Sequence, residues 1–218
     1  MTDYKTARTA MVDCQIRPSD VTKYPILEAF LTTPREAYVP AELRSIAYSG
    51  EHINLGNGRT LLDARTFAKM LDTLNVQADE LVLDLGCGLG YSTAILASMA
   101  EAVVSVESDA QMAADASAIL SEQSIDNTYV TNGSLTAGNA KNGPYDVIIL
   151  QGSVDLIPDT LIKQLKDGGR ICAIFRDKSY GECRIGYKSH EKLSWRSVFN
   201  ASAPLINGFE TKPVFKFA

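Results

Sequence analysis

Histidine is scarce in this 218-residue chain, with only His52 and His190 present. Neither has a His or Cys neighbour at metal-ligand spacing, which argues against structural zinc, and no metal is expected. The four cysteines, Cys14, Cys87, Cys172 and Cys183, form no CxxC pair. A disulfide framework is not expected in a chain this long without a secretion signal. There is no basic excess: the formal net charge is -5, against nonspecific contact with nucleic acid. No apolar run approaches the length that spans a membrane. The opening residues MTDYKTARTAMVDCQIRP lack the apolar core of a signal peptide, so a cytoplasmic location is expected. Tryptophan occurs once, as Trp195, in a strand-like segment where core or sheet packing is its expected role. There is no internal repeat and no low-complexity tract.

What is present is a large apolar share, 45% of residues, enough for one substantial core. Its most informative stretch runs from Leu81 to Asp109, LVLDLGCGLGYSTAILASMAEAVVSVESD. Leu81, Val82 and Leu83 read as a strand buried on both faces, ending in Asp84. A turn with Gly86, Gly88 and Gly90 follows, then a helix from Tyr91 to Met99, a strand from Ala102 to Val106, and Glu107. An acid about 20 residues past a glycine turn stands where ribose hydroxyls are bound. The pattern is D-x-G-x-G-x-G and not GxGxxG, since Tyr91 stands where a sixth-position glycine would be. Dinucleotides need the helix N-terminus for pyrophosphate. S-adenosylmethionine (AdoMet) has no phosphate but carries an ammonium group that Asp84 can hold. AdoMet is therefore the expected cofactor.

Around this unit the chain reads as alternating helices and strands. Helices are expected over residues 4 to 17, from Ser19 or Asp20 through Leu31, briefly at Ala41 to Ala47, and after an Asp63 cap. Gly56 to Arg59 reads as a glycine-rich loop. Further on come a helix Ala110 to Ser121, strands Thr128 to Thr131 and Tyr145 to Leu150, a helix Pro158 to Leu165, and a strand Arg170 to Phe175. From Cys183 the pattern turns to two alternating strands, CRIGYKS and LSWRSVFNA. This predicts an α/β, doubly wound, mostly parallel sheet with an antiparallel edge and an N-terminal helical segment. Residues 1–78 would form that helical, substrate-side segment and residues 79–218 the AdoMet-binding part of one globular unit. Arg59, Arg65 and Lys69 read either as carboxylate-attracting groups or as solvated charges. His52 reads as a surface histidine or as one bordering the site, and Tyr91 as a pocket cap or a packing residue.

Several segments together resemble the protein-L-isoaspartate O-methyltransferases: TPREAYVP, GRTLLDARTFAKMLDTL, LVLDLGCGLGYSTAILA, VSVES, PYDVIIL, IPDTLIKQLKDGGR and APLINGFE, spanning roughly residues 25 to 210. The resemblance implies a Rossmann-like, AdoMet-dependent carboxyl methyltransferase of the repair type. Its acceptor would be isoaspartate in a damaged protein or peptide, with no nucleic acid or membrane partner. It implies that Asp84, Gly86, Gly88 and Gly90 surround the methionine part, that Glu107 binds the ribose, and that Gly133 and Ser134 lie beside the adenine. Thr60, Leu85, Cys87 and Ser108 complete the expected cofactor set, and no catalytic residue is assigned.

The chain departs from the family pattern at three places. The Thr-Ile-Ser motif reads Thr60, Leu61, Leu62, so leucine stands where the family has its serine. Ser134 stands where an aspartate is usual. Gly152, Ser153, Val154 and Asp155 replace an Ala-Ala-Pro-Pro stretch, and Ser153 is a candidate for the lost hydroxyl. An alternative follows from these departures: an AdoMet-binding protein without isoaspartyl activity, serving another acceptor or a partner.

Overall fold

The computed structural model describes residues 3–176 and 180–211. Residues 1–2, 177–179 and 212–218, which fall inside the expected segments 1–78 and 79–218, lie outside the described residues. Seven strands form one sheet: β3 (Leu81–Leu85), β4 (Ala102–Glu107), β5 (Thr128–Asn132), β6 (Tyr145–Val154), β7 (Leu165–Arg176), β8 (Gly181–Ser189) and β9 (Lys192–Asn200). Their spatial order is β5-β4-β3-β6-β7-β8-β9. The first five run parallel, and β8 and β9 add antiparallel. The strand order reverses at β3, which has β4 on one side and β6 on the other. In open α/β sheets that switch point is where ligands bind, beyond the carboxyl ends of the strands.

The parity of the strands sorts the core into two layers. Val82, Val103, Val147, Ile149 and Ile174 face one side and pack with α1 (Tyr4–Met11), α2 (Tyr24–Thr32), α3 (Ala64–Leu74), α4 (Tyr91–Ala97) and α5 (Ala110–Glu122). Leu83, Leu85, Val106, Ile148 and Ile171 face the other side, under Leu135, Leu161, Ile206 and Phe209. Three helices start on acidic caps: Asp3, Asp63 and Asp109 accept from the backbone N–H groups of Thr6, Thr66 and Met112. The Asp63 cap is the one expected.

Several boundaries differ from those expected. The first helix does not end at Pro18: α1 runs into a π-helical turn, Val12–Ile16, and a 3-10 turn, Arg17–Ser19. The next helix starts at Tyr24, not at Ser19 or Asp20, because Asp20 adopts left-handed φ 65° and Pro25 sets the first turn. The expected helix Pro158 to Leu165 is only α6 (Asp159–Ile162), since the backbone N–H of Tyr145 already donates to Gln164 O (2.7 Å) and Leu165 pairs with Tyr145 in the sheet. Trp195 lies on the sheet surface, edge-on to Phe175 at 4.8 Å between ring centroids.

The glycine-rich loop at Gly56 to Arg59 is the turn of a hairpin. β1 (Ile53–Gly56) pairs antiparallel with β2 (Arg59–Leu61). Asn57 and Gly58 at the turn both have positive φ, 49° and 73°. That is the backbone of a two-residue type I′ hairpin, for which Asn-Gly is the favoured sequence. The hairpin lies against the glycine turn of the sheet.

Candidate functional site

The site is built at the switch point. β3 ends in Asp84 and Leu85, and the chain turns through Gly86 (φ 79°), Gly88 (φ 57°) and Gly90 (φ 93°) into α4. The turn is pinned to β4 by Gly86 N–H donating to Val106 O (2.9 Å). A Cβ on Gly88 would sit 2.7 Å from Leu55 Cδ1 of the hairpin, so both its φ and its surroundings require glycine.

Asp84 is fully buried (0% exposed) and every oxygen is used. Ser92 Oγ (2.6 Å) and Thr93 Oγ1 (2.9 Å) donate to Oδ2, and Gln151 Nε2 (2.8 Å) donates to Oδ1. Burial pushes its pKa up from 3.8 to about 6; the three donors oppose the rise and the Glu107 charge adds to it. At neutral pH Asp84 is therefore a buried anion held by these three hydrogen bonds. Gln151, beyond the expected strand end at Leu150, was not legible as part of the site. Nothing in its local sequence marks it, because its role depends on β6 lying beside β3.

Glu107 closes β4 and is also 0% exposed. Its Oε1 accepts from the backbone N–H of Ser108 (2.7 Å) and Asp109 (3.1 Å), and its Oε2 accepts from Gly88 N–H (3.0 Å). Arg59 Nε donates to both oxygens, at 2.8 and 2.9 Å. Arg59 is itself 3% exposed. It is thus neither a solvated charge nor a group waiting for a substrate carboxylate; it is the buried counter-ion of Glu107. Arg65 is exposed, and Lys69 lies over the Phe199 ring at 4.7 Å.

The other expected residues fall around these two carboxylates. Cys87 is buried between them, and burial with both nearby charges drives its thiol pKa well upward, so it stays a protonated small side chain. Thr60, Leu61 and Leu62 share a cavity of only about 10 Å³ with Gly86, Cys87, Tyr91, Ser92 and Gln151. Ser108 is exposed beside Arg59. Gly133 N–H donates to Glu107 O (3.0 Å), which sets Gly133 and the exposed Ser134 next to the end of β4. Ser134 Oγ bonds Thr136 Oγ1 (3.0 Å).

Leu62 is buried and its carbonyl accepts from Arg35 (2.7 Å). Arg35 is buried too; it also donates to Ala47 O (2.7 Å), and its guanidinium lies over the Tyr91 ring at 4.9 Å. Tyr91 both borders the cavity and packs edge-on against Phe30 and Tyr38. His52 Nδ1 accepts from Asp63 N–H (2.9 Å), so Nε2 carries the proton donated to Ser202 O (2.7 Å). This histidine ties the hairpin to α3. Ser153 Oγ is buried and has no hydrogen-bond partner among the described residues. At Gly152 a Cβ would meet Ile206 Cγ1 at 2.7 Å, which explains glycine in the altered stretch.

The residues fit AdoMet in kind: a buried carboxylate at the end of β4, a glycine turn with few side chains, and a second anion beside it. Cavity space is short, because the hairpin and Arg59 stand over the turn. Pockets for drug-sized ligands measure about 300–1,000 Å³.

Among known proteins, residues 6–190 match the model of the protein-L-isoaspartate(D-aspartate) O-methyltransferase (PCMT) family. The match takes in the first helix, which lay outside the resembling segments, and stops short of APLINGFE. A protein-L-isoaspartate O-methyltransferase of Syntrophus aciditrophicus is 36% identical over 171 residues, covering 78% of each chain. One from Vibrio parahaemolyticus is 32% identical over 183 residues, covering 84% of this chain and 88% of its own. A solved protein-L-isoaspartate O-methyltransferase superposes with TM-score 0.81 at 23% identity, over 92% of this chain and 66% of its own. A Plasmodium falciparum structure, titled a putative protein-L-isoaspartate O-methyltransferase in complex with S-adenosyl-L-homocysteine, superposes with TM-score 0.77 at 16% identity, over 94% and 98%. Both structures share this fold. By the extent of the family match and the identity to its relatives, the chain belongs to the protein-L-isoaspartate(D-aspartate) O-methyltransferase family of enzymes.

Proposed function

We propose that the protein transfers the methyl group of AdoMet to the side-chain carboxylate of isoaspartate in damaged proteins or peptides. The observation that carries this reading is the pair of buried carboxylates, Asp84 and Glu107, flanking the glycine turn at the switch point in a chain of this family. AdoMet supplies a methyl group on a sulfonium, an activated electrophile. The acceptor carboxylate is already ionised at neutral pH, so no general base is needed. What remains for the protein is to bind, align and exclude water.

In this assignment Glu107 accepts from the ribose hydroxyls. The charge of Asp84, oriented by Ser92, Thr93 and Gln151, faces the ammonium group directly or through water. The backbone of Gly86 to Gly90, with Leu85 and Cys87, follows the methionine part. Ser108, Gly133 and Ser134 border the nucleoside, where Ser134 offers a hydroxyl and no charge. Thr60 covers the pocket from β2. Leu62 gives the acceptor carboxylate no hydrogen bond, and the Ser153 hydroxyl, unpartnered among the described residues, is the candidate replacement. Residues 1–78 supply the acceptor side and 79–218 the cofactor side. Phe30, Tyr38 and Phe67 packing on Tyr91 support their acting as one unit.

We also place the protein in the cytoplasm. Among the described residues no helix is long and apolar enough to cross a membrane. The test is methyl transfer from radiolabelled AdoMet to an isoaspartyl peptide and to its normal aspartyl isomer. Label in the isoaspartyl peptide alone, released as methanol by mild base, is the expected result. Tight AdoMet binding with no transfer to either peptide would move the reading to another acceptor.

A further inference from the structure

The carboxylate assigned to the ribose is already saturated. Glu107 accepts three backbone N–H groups plus the shared Nε–H of Arg59. Two carboxylate oxygens offer about four lone-pair directions, so no acceptor capacity is left for a ribose diol. The backbone donors belong to the turn and the strand end and cannot leave without unfolding them. Arg59 can leave, because it arrives from β2 of a hairpin whose two strands pair at only three positions. A two-stranded hairpin of that size has little stability of its own. It is held down at the site by Arg59, by Asn57 Nδ2 donating to Asp109 Oδ2 (2.7 Å), and by Leu55 against Gly88.

We propose that Arg59 is an intramolecular occupant of the ribose position, and that the β1–β2 hairpin must lift it off Glu107 before the cofactor binds. The inference rests on the cofactor reading above and adds a residue that sets cofactor affinity. Binding exchanges one buried ion pair for two hydroxyl hydrogen bonds, so the apparent affinity is reduced by the fraction of molecules in which the pair is open.

The experiment is calorimetric titration of the full chain with S-adenosylhomocysteine, comparing the wild type with Arg59→Gln and Asn57→Gly. Glutamine keeps a polar side chain of similar reach without the charge. Glycine at 57 keeps the positive φ of the turn and removes only the amide that latches the tip, so it stays informative if Arg59→Gln lowers the melting temperature. Expected is binding at least about tenfold tighter in Arg59→Gln, a smaller gain in Asn57→Gly, and faster association in both. Equal or weaker binding by both variants, with measurable binding by the wild type, would overturn the proposal and make Arg59 a supporting member of the pocket. No binding by any of the three would overturn it together with the cofactor reading.

Discussion

The buried state of Asp84 makes a quantitative claim on how stability varies with pH. Its folded pKa of about 6 lies above the ordinary 3.8 because burial outweighs the hydrogen bonds from Ser92, Gln151 and Thr93. Between these two values the folded protein holds a proton that the unfolded chain has lost. Stability therefore falls as pH rises through this window: the contribution is fully present below about pH 4 and gone above about pH 6. At about 1.36 kcal/mol per pH unit, the loss attributable to this one group is about 3 kcal/mol. Asp84→Asn removes the titration while keeping an acceptor for Gln151. Carboxylates whose pKa is lowered, Asp3, Asp109, Asp155 and Glu182, push the opposite way, but they are common to both proteins and cancel in the difference. Urea unfolding at pH 4, 5, 6 and 7 would give that difference directly. The variant should gain about 2.4 kcal/mol on the wild type from pH 4 to pH 7. A difference that stays flat, or that moves in favour of the wild type, would mean that Asp84 is not held as described.

Other expectations follow from the same geometry. Glu107→Ala should weaken S-adenosylhomocysteine binding by at least about tenfold, since hydrogen bonds to a charged group each contribute about 1.5–3 kcal/mol; calorimetry with unchanged affinity would contradict the ribose assignment. Leu62→Ser should raise turnover on an isoaspartyl peptide while lowering the unfolding free energy by about 2 kcal/mol or more, because it opens a buried apolar site; unaltered turnover would show that no hydroxyl is needed at position 62. Gly88→Ala should cost more than about 1 kcal/mol in thermal unfolding, through its positive φ and the Leu55 clash. Arg35→Met should lower the melting temperature by several degrees, since it strands the carbonyls of Ala47 and Leu62 at about 1–3 kcal/mol each; an unchanged melting temperature would show those carbonyls finding other donors.

The parts of the site that could be read from the chain were those written locally. Asp84, the glycines and Glu107 sit at fixed spacing within one βα unit, and the unit folds as its period and composition imply. The strands from Thr128 onward were legible in existence and order, with ends shifted by a few residues. What escaped reading depended on pairing across the fold. In its polar turn Arg59 reads as a carboxylate-attracting group or a solvated charge, and only the hairpin brings it onto Glu107, 48 residues away in sequence. The hairpin has a local signal, Asn57-Gly58, but its strands are short enough that the sequence there reads as a loop. Gln151 joins Asp84 because β6 outruns its apolar run and continues to Val154. The expected helix Pro158 to Leu165 is longer than α6 because Leu161 and Leu165 have helical spacing, whereas Leu165 belongs to the sheet. Where residues act through a neighbour in space, a single chain carries no mark of it.

The most direct test of the account is a crystal structure of the protein with S-adenosylhomocysteine. The account predicts ribose hydroxyls within about 3 Å of the Glu107 carboxylate, the amino group on the side of Asp84, and Arg59 withdrawn with its hairpin. A nucleoside seated elsewhere, with the Arg59–Glu107 pair intact, would contradict it.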